Sequence, residues 1–170
     1  MGKRIIIGGI AGLAILCVCG AVGIFVFGGF FNAADVGGFF NAADGGTGEV
    51  AISVSAPLNA GVGDAVTVEI VIKNPTDQIM DLDSVDINLE YLDGVDISES
   101  SPVYSDNYSL EPLFPQMSFT FHQPIPANGI LRVRMFGTAV KSGDFSGTLD
   151  VCIDGGGDCT GTEVRTIISP

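Results

Sequence analysis

The sequence predicts an all-β domain, a two-sheet antiparallel sandwich, preceded by one N-terminal transmembrane helix. Three observations carry this. An uncharged apolar run extends from Ile5 to Phe27, apolar residues recur at every second position from residue 49 onward, and turn-forming residues separate those alternating runs. The chain then divides into a basic start (1–4), a membrane span (5–27), a linker (28–48) and a β-domain (49–170), the last being the size of one ordinary domain.

As a helix rising about 1.5 Å per residue, the Ile5–Phe27 run spans roughly 35 Å, enough to cross a hydrocarbon core. Lys3 and Arg4 precede it and the flank after it is neutral to acidic, so the expected topology leaves the N-terminus in the cytoplasm and the rest outside. A cleaved signal would have a shorter apolar core of about 7–15 residues. Cleavage after Ala21 would also leave Ile24 to Phe27 and the Phe30-Phe31 pair in water, so the span is expected to be retained. Lipid attachment at Cys17 or Cys19 is disfavoured, because bacterial lipoprotein signals place a small residue before the cysteine and here Leu16 and Val18 stand there. Gly8 and Gly12 form a small-xxx-small pair through which two helices could pack into a dimer.

The octet GGFFNAAD occurs at 28–35 and again at 37–44, separated by Val36. Two copies are too few and too short for a solenoid, so they describe a duplicated spacer that its paired glycines keep flexible. Phe30-Phe31 would lie at the outer interface. The sequence leaves open whether Phe39-Phe40 meets headgroups or packs on the base of the domain.

From Val50 the period is two. Val50, Ile52 and Val54 alternate with small or polar residues, followed by Val66 to Ile72, then Val85, Ile87, Leu89 and Tyr91. Met117, Phe119 and Phe121, then Leu131, Val133 and Met135, then Leu149, Val151 and Ile153 repeat the pattern, and a last strand covers Thr162 to Ile168. Turns are marked by Asn74-Pro75, Asp93-Gly94, Pro124 to Gly129, Ser142-Gly143-Asp144 and Gly155-Gly156-Gly157. Half-buried strands without a sustained helical period must bury one face each, and two packed sheets do this.

Residues 66–78 (VTVEIVIKNPTDQ) and 119–154, with their Pro/Asn/Gly and Gly-Asp turns, resemble extracytoplasmic immunoglobulin-like modules of prokaryotic envelope proteins. The resemblance implies an immunoglobulin-like sandwich over about 49–168 with an adhesion, spacing or assembly role. It brings no active site. The chain departs from the antibody pattern in having no Trp and no distant cysteine pair across the sheets.

The chain carries 20 acids and 7 bases, a net charge of −13, and Lys3, Arg4, Asp35 and Asp44 cancel within the first 45 residues. The β-domain therefore holds the whole negative charge and would be repelled by nucleic-acid backbones and anionic lipid, which excludes nucleic acid as a partner. A solubilising surface accounts for this acidity, with recognition of a cation or a basic partner as its functional counterpart.

Cys152 and Cys159 flank a glycine-rich loop and are expected to form a disulfide clamping a hairpin in an oxidising exterior. Asp154 and Asp158 in that loop, with Asp77, Asp81, Asp83, Asp86, Glu90, Asp93, Asp96 and Glu99 crowding one region, raise calcium as a candidate ligand; no other cofactor is expected. The spacing breaks the EF-hand pattern, which leaves only a looser oxygen site between loops. His122 is the sole histidine, and alternation turns it away from the core. No triad, zinc motif, phosphate loop or dinucleotide fingerprint surrounds it, so catalysis is not expected. Asn107-Tyr108-Ser109 is a formal glycosylation sequon.

The expected function is a non-catalytic, membrane-tethered module outside the cytoplasm that binds another envelope protein or a surface ligand. Two alternatives remain at this stage: a filament subunit, or a homo-oligomer, built from an apolar helix and β-domain, and an extracytoplasmic hydrolase.

Overall fold

The computed structural model describes residues 50–170 apart from Gly156, Gly157 and the side chain of Asp158, and it also describes the backbone of Asn41–Ala42. The Ile5–Phe27 run, the Gly8–Gly12 pair, Cys17, Cys19 and most of the repeat lie outside the described residues. Among those described, no helix is long and apolar enough to cross a membrane.

The domain is a two-sheet sandwich. One sheet is five-stranded, in the order β1 (Asn41–Ala42), β2 (Ala51–Ser55), β4 (Ala65–Lys73), β9 (Ile130–Ala139) and β6 (Val95–Ser101). The other is six-stranded, in the order β3 (Asn59–Gly61), β11 (Asp158–Ser169), β10 (Gly143–Ile153), β5 (Met80–Asn88), β8 (Gln116–Ile125) and β7 (Asp106–Ser109). Among the described residues, every pairing is antiparallel except β3 with β11. The strand β1, inside the segment expected to act as spacer, pairs with β2 through Asn41↔Val54 and Ala42↔Ser53.

Alternation buries the inner faces as expected. Val66, Val68, Ile70 and Ile72 of β4 and Val133 and Met135 of β9 meet Leu82, Val85 and Ile87 of β5, Phe119 and Phe121 of β8, and Leu149 and Val151 of β10 in one core. Each such side chain contributes about 1.5–3 kcal/mol on burial, which makes this core the main favourable term for the fold. Tyr104 closes its rim, standing edge-on to Phe119 at 5.3 Å and to Phe121 at 6.5 Å between ring centroids.

The structure departs from simple alternation in three places. Leu89 and Tyr91, expected in a strand, lie in the one-turn helix α1 (Leu89–Leu92), because the Asn88 side chain accepts from the Glu90 N–H and caps it. Gly94 follows that turn, where a Cβ would stand 2.2 Å from the Phe145 ring. The strand β6 escapes the alternating pattern because its register shifts between Ile97 and Glu99, which buries Ser100. The strand β7 is exposed at all four residues and so has no apolar face to read.

Two buried polar groups tie the sandwich together. Asn74 is fully buried where the chain leaves β4 for the other sheet. Its side-chain NH2 donates to the carbonyls of Gln78 (2.7 Å), Pro126 (3.2 Å) and Ile125 (3.4 Å), and its Oδ1 accepts from the Thr76 N–H (2.9 Å) and hydroxyl (2.7 Å). Backbone bonds from Asn74 N–H to Gly129 O and from Asn128 N–H to Thr76 O complete the joint. The connection from β4 to β5 is thereby fastened to the connection from β8 to β9, and both cross between sheets. At the second tie, the Tyr91 hydroxyl lies 3.1 Å from Thr166 Oγ1, which in turn donates to the Pro57 carbonyl at 2.9 Å.

Asn74→Ala removes the acceptor and both donors at once and takes a bond from the buried Ile125 carbonyl, so it should cost about 3 kcal/mol, read from the urea unfolding midpoint. Tyr91→Phe should cost about 1 kcal/mol near neutral pH. Burial raises the Tyr91 phenol above its ordinary value of 10.0 while the Thr166 bond opposes that rise. The unfolded chain therefore ionises this phenol first. The stability that Tyr91 contributes is complete below the unfolded value and falls as pH climbs through the folded one. The stability difference between wild type and Tyr91→Phe should shrink above about pH 10 in urea melts run across that range.

Candidate functional site

Among the described residues, a group of three metal-ligating side chains lies where β5 meets β8. Asp81 and Asp83 are two apart on β5. Opposite them the register slips: Leu82 faces Gln123 and Ser84 faces Thr120, so Phe121 and His122 together oppose Asp83 alone. This is a β-bulge, and His122 adopts the left-handed conformation within it, with φ of 54°. Phe121 stays in the core. His122 is turned outward, as alternation predicted, with its Nδ1 3.8 Å from Asp81 Oδ2 and 3.8 Å from Asp83 Oδ1. Both separations exceed hydrogen-bond length.

The β10–β11 hairpin supports these carboxylates. Asp154 Oδ1 accepts from the Asp81 N–H at 2.7 Å, and the Asp154 N–H donates to the Asp81 carbonyl at 2.9 Å. The Gly155 N–H donates to Asp83 Oδ2. Asp154 and Gly155 reach these positions with φ of 52° and 91°, a pair of left-handed residues that Asp and Gly tolerate. Cys152 and Cys159 face one another across the same hairpin and form the expected disulfide. Asp86 lies beside it, with Oδ2 3.6 Å from Cys152 Sγ. A disulfide sulfur has no hydrogen to give, so this is a contact and not a hydrogen bond, and Asp86 Oδ1 is buried with no hydrogen-bond partner among the described residues.

The calcium candidates Asp154 and Asp158 therefore stand differently from their place in the sequence. Asp154 uses one oxygen to hold β5, and the Asp158 side chain lies outside the described residues. From the row of acids around residues 77–99, only Asp81 and Asp83 come together with His122 among the described residues. Nothing in the spacing of the chain pairs them with His122, because adjacency of β5 and β8 is a property of the sheet.

A second feature lies at the other end of β8. Between β7 and β8, the Leu113 and Phe114 N–H groups both donate to the Leu110 carbonyl, Leu110 N–H donates to Gln116 O, and Leu89 N–H donates to Pro115 O. This ordered turn holds Leu113 at 81% and Phe114 at 59% exposure. Tyr108 on the edge strand β7 is 52% exposed, and Asn107 of the sequon lies beside it, also exposed. The signal for this turn is Leu-Glu-Pro-Leu-Phe-Pro, an apolar pair bracketed by prolines and outside any alternating run.

No family model and no curated protein matches the chain. Solved structures similar to it include the cupredoxin domain of amoB from Nitrosocaldus yellowstonii, at 11% identity and a TM-score of 0.40, covering 63% of this chain and 57% of that one. The cohesin module from a Clostridium perfringens family 33 glycoside hydrolase has 13% identity and a TM-score of 0.43, covering 69% of this chain and 95% of the module. The C-terminal domain of the Streptococcus pyogenes antigen I/II-family protein AspA has 14% identity and a TM-score of 0.42, covering 76% of this chain and 46% of that one. With TM-scores of this size, the sandwich assignment rests on the strand pairings themselves.

The disulfide gives a direct prediction. Cys152→Ala with Cys159→Ala should lower stability by about 2 kcal/mol, as expected for a short closed loop, and leave the domain folded with a cooperative urea transition. In the unreduced wild type, the tryptic peptide 142–165 should be lighter by two hydrogens than after reduction; an unchanged mass would remove the bond.

Proposed function

We propose that this chain is a membrane-tethered β-sandwich module that stands outside the cytoplasm and docks a protein partner through the turn between β7 and β8. The observation that carries the proposal is the exposure of Leu113 and Phe114 on a hydrogen-bonded turn. Large apolar side chains held outward at little conformational cost are the anchors around which protein interfaces form. Exposed Glu111 in the same turn and Asp106 on the neighbouring strand β7 favour a partner with a basic rim around an apolar pocket. The Ile5–Phe27 run and the duplicated octet support tethering and reach. The resemblance to immunoglobulin-like envelope modules agrees with a binding role and not a catalytic one.

A photoreactive residue in place of Phe114 in the full chain, irradiated in intact membranes, tests this. The expected result is a discrete adduct with another protein. Leu113→Asp in the same chain should reduce it at least about tenfold, in line with loss of a buried anchor. A probe replacing Val103, which is 76% exposed, should give no such adduct. Equal labelling from both positions contradicts docking at the turn. Adducts between copies of this chain alone would turn the proposal into the filament or homo-oligomer alternative.

A further inference from the structure

We propose that His122, Asp81 and Asp83 form a binding site for a divalent first-row transition cation of the zinc class. Three donor atoms from two adjacent strands converge there: His122 Nδ1 from β8, and one carboxylate oxygen each from Asp81 and Asp83 on β5. All lie within 4.8 Å of one another. The imidazole nitrogen stands 3.8 Å from each carboxylate oxygen, too far for a hydrogen bond to either and symmetrically placed between them. An ion at about 2.1 Å from each donor requires the three to draw in by roughly half an ångström, a movement led by the His122 side chain, which is 65% exposed against 44% for Asp81 and 19% for Asp83.

The donor set decides the class of ion. Calcium takes about 6–8 oxygen ligands and has little use for imidazole, whereas imidazole with carboxylates suits zinc and its first-row neighbours. Two carboxylates balance the charge of a divalent ion. Three protein donors leave coordination positions for water or for a donor from a bound partner.

The supporting groups are those such a site needs. Asp83 turns Oδ1 toward His122 Nδ1 while its Oδ2 accepts from the Gly155 N–H, and the Asp81 backbone is held by the paired bonds of Asp154. The Cys152–Cys159 bond pins the hairpin that supplies both. The bulge places His122 among them, at a backbone conformation that an ordinary side chain rarely adopts.

The test uses the full chain in detergent without a polyhistidine tag, with Cys17→Ser and Cys19→Ser so that no anchor thiolate competes. Because His122 is the sole histidine, its imidazole nitrogen resonances are unambiguous. Equimolar ZnCl2 should shift the Nδ1 resonance and bind with one ion per chain by calorimetry. His122→Gly removes the ligand while suiting the left-handed backbone, so it keeps the fold; it should weaken zinc binding at least about tenfold. Asp83→Asn should do the same, and Asp77→Asn, at an exposed acid outside the cluster, should not. Unmoved imidazole resonances at equimolar zinc, or equal zinc affinity in His122→Gly, would overturn the site. Calcium binding equal to that of zinc and indifferent to His122→Gly would also overturn it and point to an oxygen-only site elsewhere on the acidic surface.

Discussion

One buried amide joins the two connections that cross between the sheets. Two sheets packed through apolar faces have no intrinsic reason to hold one lateral register, since hydrophobic contact is non-directional. Asn74 supplies the direction. Its side chain bonds to the carbonyls of Ile125, Pro126 and Gln78 and receives the Thr76 N–H and hydroxyl, so two separate crossings between the sheets are fixed to each other at one point. A buried amide with its donors and acceptor engaged is a specific fastener, because any sliding of the sheets would leave polar atoms unpaired in an apolar setting.

That joint also sets the chemistry nearby. It holds the start of β5 and the end of β8, the segments where the bulge occurs and where Asp81, Asp83 and His122 converge. The register slip costs His122 a left-handed backbone, and the disulfide-clamped hairpin braces the opposing carboxylates from the far side of β5. The apolar turn occupies the opposite end of β8, roughly 20 Å from His122 at the usual rise of a strand. A single strand therefore links the two features, one suited to an apolar partner and the other to a cation.

Most of the sandwich was legible in the sequence because burial on one face imposes a period of two, and β2, β4, β8, β9, β10 and β11 all show it. The cysteine pair was legible because its short spacing around a glycine-rich loop suits one hairpin. What stayed hidden has physical causes. In β6 a bulge breaks the period, in β7 no residue is buried, and at Leu89 and Tyr91 a spacing of two serves a capped helical turn as well as a strand. The cross-sheet role of Asn74 is also invisible locally, since its bonds to Thr76 and Gln78 read as an ordinary Asn-Pro turn and the two partners that make it a joint, Ile125 and Pro126, lie 51 and 52 residues away. The meeting of His122 with Asp81 and Asp83 depends on which strands become neighbours, and no spacing encodes that.

Amide hydrogen exchange at two loop positions tests the central role of Asn74 most directly. The Thr76 N–H, bonded to Asn74 Oδ1, and the Asn128 N–H, bonded to the Thr76 carbonyl, both lie outside the strands. If Asn74 fastens the sandwich, these amides should exchange only with global unfolding, as slowly as the core amides of β4 and β9. Exchange at the rate of an ordinary surface loop, while β4 and β9 remain protected, would contradict it.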